Sequence, residues 1–168
     1  MPLMPHTLGR IRGVPLASCS DHIVRLVECD SPDFAVLVST LDAELEDRYP
    51  GLSTDGPTPA QDLLVVVVAY SGDAPVGCGA LRELEPGVGE IKRMLVLPEA
   101  RRLGAARRML EVLEARGRAL GYSAVRLGSG VRQPEALALY ESCGYCRIPL
   151  FGEYEGGTLC VCYEKALE

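Results

Sequence analysis

The chain has 168 residues, 48% of them hydrophobic, which is ample for one domain with a full core and too few for two ordinary ones. Its formal net charge of −6 excludes nucleic acid as a general partner, and no apolar run reaches the roughly 20 residues of a membrane span. Seven cysteines, an odd number and without a credible signal peptide, argue for reduced thiols and a cytoplasmic protein.

Residues 1–20 (MPLMPHTLGRIRGVPLASCS) lack a sustained period and carry three prolines, so they read as a loosely ordered extension; residues 21–168 hold the domain. Leu16-Ala17-Ser18-Cys19 spells a lipoprotein cleavage box, but Arg12, Gly13 and Pro15 interrupt the apolar stretch that such a signal needs. The two histidines, His6 and His22, have no evident partners for a triad or a metal site. His22 to Cys29 alternates as a first strand. Ser31 or Asp33 can cap a helix running to about Tyr49, with Phe34, Leu37, Val38, Leu41 and Leu45 inward. Its outer side and the loop that follows carry Asp42, Glu44, Glu46, Asp47 and Asp55 against Arg48. That charge run is either a solvated face or a negative wall.

Pro50 to Pro59 is a loop by composition, and Leu63 to Tyr70 (LLVVVVAY) is β-branched enough for a buried central strand. Ser71-Gly72-Asp73 turns the chain into a strand from Pro75 to Leu84, where Gly77 and Gly79 serve packing better than a dinucleotide fingerprint that lacks its third glycine. After Glu85-Pro86-Gly87 comes the most informative stretch, Glu90 to Leu110 (EIKRMLVLPEARRLGAARRML). An apolar run, Ile91 to Leu97, ends at Pro98, and Ala106, Met109, Leu110, Leu113 and Leu120 recur at helical spacing. The turn between them puts successive backbone N–H groups at the positive end of a helix, where Gly104 and Ala106 allow a phosphate to approach the main chain. Lys92, Arg93, Arg101, Arg102, Arg107 and Arg108 add the charge for a polyanion.

The spelling V-x-P-x-x-R-x-x-G-x-A, at Val96, Pro98, Arg101, Gly104 and Ala106, resembles the acyl-CoA pyrophosphate motif of the GNAT superfamily of N-acetyltransferases. The flanks resemble it too: the glycine-containing strand APVGCGALREL before the motif, and the helix and strand PEALALYESCGYCRI after it. The sequence departs from the family at Arg102 and Ala106, where glycine is common. The resemblance implies acetyl-CoA as co-substrate, with Met94, Leu95, Val96, Arg101, Arg102, Leu103, Gly104, Ala105, Ala106 and Arg107 around it.

Gly121 ends the cradle helix, Tyr122 to Gly128 gives the next strand, and Pro134 opens a second helix ended by Gly144. Tyr145 to Leu150 and Thr158 to Lys165 close the chain as an antiparallel pair. This order gives an α/β layered fold with helices on both faces. The resemblance sharpens it to a mixed, mostly antiparallel sheet of about six to seven strands whose central pair splays around the cofactor.

Acyl transfer to an amine requires that an ammonium lose a proton, that the oxyanion be held and that a thiolate leave. Glu90 stands on the strand at the offset from Arg101 where some GNAT members carry a general base, which would remove the ammonium proton directly or through a water; otherwise it is a strand-end carboxylate. The oxyanion donor would be a backbone N–H near Met94 or Leu95, where the strands splay. Tyr140 matches the position at which many members place a tyrosine beside the departing sulfur, although it shares a helix face with Ala136, Leu137 and Cys143 and could simply be core. A thiol pKa near 8.5 against a phenol pKa near 10 makes full proton transfer uphill by roughly 2 kcal/mol, so Tyr140 would mainly hydrogen-bond the thiolate.

In the family the first helix and its loop form a wall of the acceptor site, so the acidic run there implies a small cationic amine, acetylated directly in a ternary complex. Protein N-termini or lysines as acceptors, and an acyl-CoA-binding regulator without turnover, stand as alternatives, and whether the domain pairs into a homodimer is left open. Cys143, Cys146, Cys160 and Cys162 have a spacing that could hold zinc, but their places on a helix end and on apolar strands fit buried free thiols better, so no metal is expected.

Overall fold

A computed structural model describes residues 22–52 and 58–168. The extension, the Leu16–Cys19 box, His6 and Asp55 therefore lie outside the described residues. The elements run β1 (Ile23–Val27), α1 (Pro32–Arg48), β2 (Leu63–Ser71), β3 (Ala74–Glu85), β4 (Val88–Val96), α2 (Ala105–Ala119), β5 (Ala124–Gly130), α3 (Pro134–Ser142), β6 (Cys146–Ile148) and β7 (Cys160–Ala166). They build one seven-stranded sheet in the order β1-β2-β3-β4-β5-β7-β6. Only the β4–β5 pairing is parallel. The expected mixed, mostly antiparallel sheet is the fold found.

Two apolar layers hold the sheet between helices. Phe34, Leu37 and Leu41 of α1 pack on Val66, Val68, Cys78, Ala80 and Leu95. On the opposite face Met109, Leu110 and Leu113 of α2 and Tyr140 of α3 pack with Val67, Leu81, Ile91, Val125 and Leu127. Val66 to Tyr70 of the run LLVVVVAY are buried because these layers cover both sides of them, while Leu64 stays exposed, and β2 lies one strand in from the edge rather than at the centre. Burying such side chains contributes roughly 1.5–3 kcal/mol each, which is why α2, with its narrow apolar stripe, docks in one orientation. Gly79 is needed for that docking: a Cβ there would lie 2.5 Å from Met94 Sδ and 3.2 Å from Leu113.

The centre of the sheet is deliberately incomplete. Parallel pairing stops after Val88↔Ala124, Gly89↔Val125 and Glu90↔Arg126, so the rest of β4 has no ladder partner on the β5 side. On its other side β4 carries one extra residue between the pairs Ala80↔Lys92 and Cys78↔Leu95, a bulge at Arg93, whose φ is 59°. The bulge shifts the alternation. Leu95 thus packs under α1, while Ile91, Met94 and Val96 face α2.

Candidate active site

Past β4, Pro98 starts a short 3-10 turn, and the chain then turns through Arg102 (φ 64°) and Gly104 (φ 85°) into α2. A left-handed arginine costs about 1–3 kcal/mol, which explains why glycine suits the Arg102 position. Gly104 is the N-cap and offers no side-chain cap, and the first helical bond runs from the Arg108 N–H to the Gly104 carbonyl. The N–H groups of Ala105, Ala106 and Arg107 precede that bond and meet the positive end of the helix dipole. A Cβ built on Gly104 finds no atom within 4 Å, so the cradle is open. These features fit a diphosphate: donors, dipole, clearance and three nearby arginines.

The cradle forms one end of a cleft of about 550 Å³. Met94, Leu95, Val96, Arg101, Arg102, Gly104, Ala105, Ala106 and Arg107, residues that the family resemblance sets around the cofactor, line it. Leu103 does not; it turns outward and is 45% exposed, because the strained turn alternates its side chains. The cleft also has walls outside the motif, Glu44 and Arg48 from α1 and, unsignalled by the sequence, Gln133 and Glu135 from the start of α3. An ion chain joins them. Arg101 donates to the Val96 carbonyl (2.8 Å) and to both oxygens of Glu44 (2.9 and 3.2 Å), Glu44 pairs with Arg48 (3.0 Å), and Arg48 pairs with Glu135. Burial works to raise the Glu135 carboxyl, and the hydrogen bond and charge of Arg48 overcome it and hold the group below its ordinary value. Arg101 is thus a clamp between the motif, β4 and α1.

At the far end of the cleft stands Tyr140, only 6% exposed. Its ring packs edge-on to Tyr145 (centroids 5.8 Å apart) and tilted to Tyr163 (6.0 Å), so it is core as well as lining. Among the described residues its hydroxyl makes no hydrogen bond. Burial is the main force pushing its pKa above the ordinary phenol value, so the hydroxyl stays a proton-bearing donor.

Residues 25–145 match the profile of the acetyltransferase (GNAT) family. The chain belongs to that family. It is 40% identical over 135 residues to an "IAA acetyltransferase" of Azospirillum brasilense, covering 78% of this chain and 88% of that protein. It also resembles the crystal structure of a proposed acyl-CoA N-acyltransferase of Klebsiella pneumoniae, with 31% identity, a TM-score of 0.76 and coverage of 89% and 99% of the two chains. A further similar structure is Salmonella typhimurium yncA, a proposed acetyltransferase solved with its cofactor acetyl-CoA, at 15% identity and a TM-score of 0.65 over 89% of this chain and 95% of that one. At that identity the likeness shows the fold alone.

In this GNAT protein a smaller cavity of about 80 Å³ meets the main cleft at Met94 and Tyr140. It passes through the β4–β5 splay, and its polar lining is Lys92, Arg93, Ser129, Gln133, Tyr154 and Cys160. Glu90 lines neither cavity. It is fully buried, held on Oε2 by Arg82 (2.7 Å), with the Tyr154 hydroxyl donating to Oε1 (3.3 Å) and Lys92 at 3.8 Å from the same oxygen. Glu90 is therefore a buried carboxylate on the paired end of β4, in contact with Arg82, Lys92 and Tyr154.

Three acidic side chains of α1 have partners within the fold. Asp42 pairs with Arg93 (3.3 Å), Glu44 is engaged by Arg48 and Arg101, and Glu46 accepts from the Gly51 N–H. Glu44 lines the main cleft, and none of the smaller cavity's described lining residues is acidic. The six described cysteines are thiols rather than disulfides, and among the described residues no group of three or more His, Cys, Asp or Glu could hold a metal. Cys162 is buried as expected, Cys143 and Cys160 are half-buried, and Cys146 is exposed because β6 is a short edge strand.

Proposed function

We propose that the protein transfers an acetyl group from acetyl-CoA to a small primary amine by direct attack in a ternary complex. The observation that carries this reading is the continuous path from the Gly104 cradle, along the unpaired side of β4, to the Tyr140 hydroxyl, where the second cavity enters. When bound, the cofactor supplies the activated acyl carbon and the thiol leaving group. The chain supplies the rest. Backbone N–H groups of Ala105, Ala106 and Arg107 hold the diphosphate, and the splayed β4 main chain near Met94 and Leu95 offers donors for the oxyanion. Tyr140, kept protonated, donates a hydrogen bond to the departing sulfur. Glu90 receives the ammonium proton, and no cysteine nucleophile is required.

The acidic run of α1 alone would favour a cationic acceptor. With Asp42 and Glu44 ion-paired, that preference rests on Glu46, Asp47 and Asp55 only. Purified protein incubated with acetyl-CoA and a panel of cationic, neutral and anionic amines, scored by free thiol release, tests both points. Amine-dependent thiol release is expected, and its absence across the panel would overturn the reading; equal kcat/KM for cationic and anionic amines would remove the charge preference.

A further inference from the structure

Glu90 is out of reach of any acceptor in the smaller cavity, yet Tyr154 lines that cavity and touches Glu90. We propose that Tyr154 relays the proton from the acceptor amine to Glu90, an inference that rests on the acetyl-transfer reading. The geometry is specific. Arg82 occupies Oε2 of Glu90 at 2.7 Å, and the Tyr154 hydroxyl sits 3.3 Å from Oε1. Lys92 donates to the Tyr154 oxygen at 3.4 Å and to Glu153 at 2.6 Å, so the phenol oxygen stands between a donor and an acceptor.

The ring is also fixed in place. It lies on Gly128, where a Cβ would fall 2.5–2.8 Å from three of its atoms, and packs edge-on to Phe151 with centroids 5.3 Å apart. The other charged or titratable groups around Glu90 are Arg126 on β5, held by Glu164 and Glu85, and the Cys162 thiol on β7. Of the cavity lining, Tyr154 hydrogen-bonds Glu90 and Lys92 pairs with it at 3.8 Å.

As the acceptor ammonium gives a proton to the Tyr154 oxygen, the Tyr154 hydroxyl gives its own to Oε1 of Glu90. The amine is left neutral, with the lone pair that attacks the thioester carbon, and Glu90 is left as the acid. The C–N bond forms, the C–S bond breaks, and the second proton lost from nitrogen goes to sulfur. The proton on Glu90 then leaves to solvent by the same path, so one ammonium and one thioester give one amide, one thiol and one proton.

The test uses Tyr154→Phe, Glu90→Gln and the double variant of the full chain, each checked by thermal unfolding and by calorimetric titration with CoA. Tyr154→Phe should lower kcat by about 10²-fold for an ordinary alkylamine and leave CoA affinity within about twofold. With a weakly basic amine, already neutral at the assay pH, the loss should shrink to a few fold, since no proton needs moving; a merely structural role would cost both amines alike. The double variant should be no slower than the slower single one. Gly128→Ala, which displaces the ring without altering the hydroxyl or Glu90, should reproduce the Tyr154→Phe pattern. Wild-type turnover in Tyr154→Phe, equal losses for both amines, or multiplying losses in the double variant would overturn the relay alone. A wild-type protein that releases no thiol with any amine overturns the acetyl-transfer reading, before any substitution is made.

Discussion

The two cavities that meet at Tyr140 are made of different material. The end proposed for the cofactor centres on main chain: a turn, a helix start and a half-unpaired strand within one stretch of the sequence. The end proposed for the acceptor is lined by residues from α1, β4, β5, α3, the loop between β6 and β7 and the start of β7, brought together only by the fold. A backbone site depends on what residues lack, so glycine and alanine mark it. A side-chain site depends on which partner each charge finds, and it can be lost by changing a single hydroxyl.

That contrast can be broken most severely at Gly104. Gly104→Glu combines a left-handed glutamate, strained by about 1–2 kcal/mol, with a negative charge set against phosphate, and should weaken CoA binding by at least about a hundredfold while leaving the fold intact. Titration calorimetry with CoA measures this, and unchanged affinity would remove the cradle from the site. Tyr140→Phe tests the junction. It should lower kcat by about 10² or somewhat less with little change in CoA affinity, and a stable variant with wild-type turnover would make Tyr140 core alone.

A smaller effect is expected at Glu44, which occupies Arg101 and adds negative charge to the cleft. Because both side chains are partly exposed and screened, Glu44→Gln should tighten CoA binding by only a few fold, with the gain shrinking as salt rises. Weaker binding would mean that the clamp matters more than the charge. The smallest effect concerns alkaline stability. Burial is the main cause raising the pKa of both Tyr140 and Tyr145, so the stability they contribute is complete below the unfolded phenol value near 10 and is lost as pH rises above it. Thermal midpoints should therefore fall between about pH 9 and 11, and Tyr140→Phe should flatten that fall.

The fold was legible because its signals are local. Periodicity, the Ser71–Asp73 turn, Pro98, Pro134 and Gly121 place nearly every element, although β5 begins two residues later than its apolar pattern suggests. The cradle was legible for the same reason. The burial of Glu90 was not legible, since nothing near it in sequence announces Arg82 or Tyr154. One signal was present and unread: the glycines of LGSG in β5 leave room for two tyrosines, Tyr154 over Gly128 and Tyr49 over Gly130. The partners of the α1 charges were not legible, because ion pairs between α1, β4 and the motif cannot be counted along a line.

The three-residue seam between β4 and β5 has one more consequence. The strands form two plates, β1 to β4 and β5 with β7 and β6, riveted at one end and open at the other. A ligand filling the gap replaces main-chain pairing that the protein itself forgoes, and binding only the folded state at a hundredfold excess over its Kd would add about 2.7 kcal/mol to stability. With the proposed cofactor as that ligand, the working life of each molecule, its resistance to proteolysis as much as its rate, would follow the supply of cofactor around it.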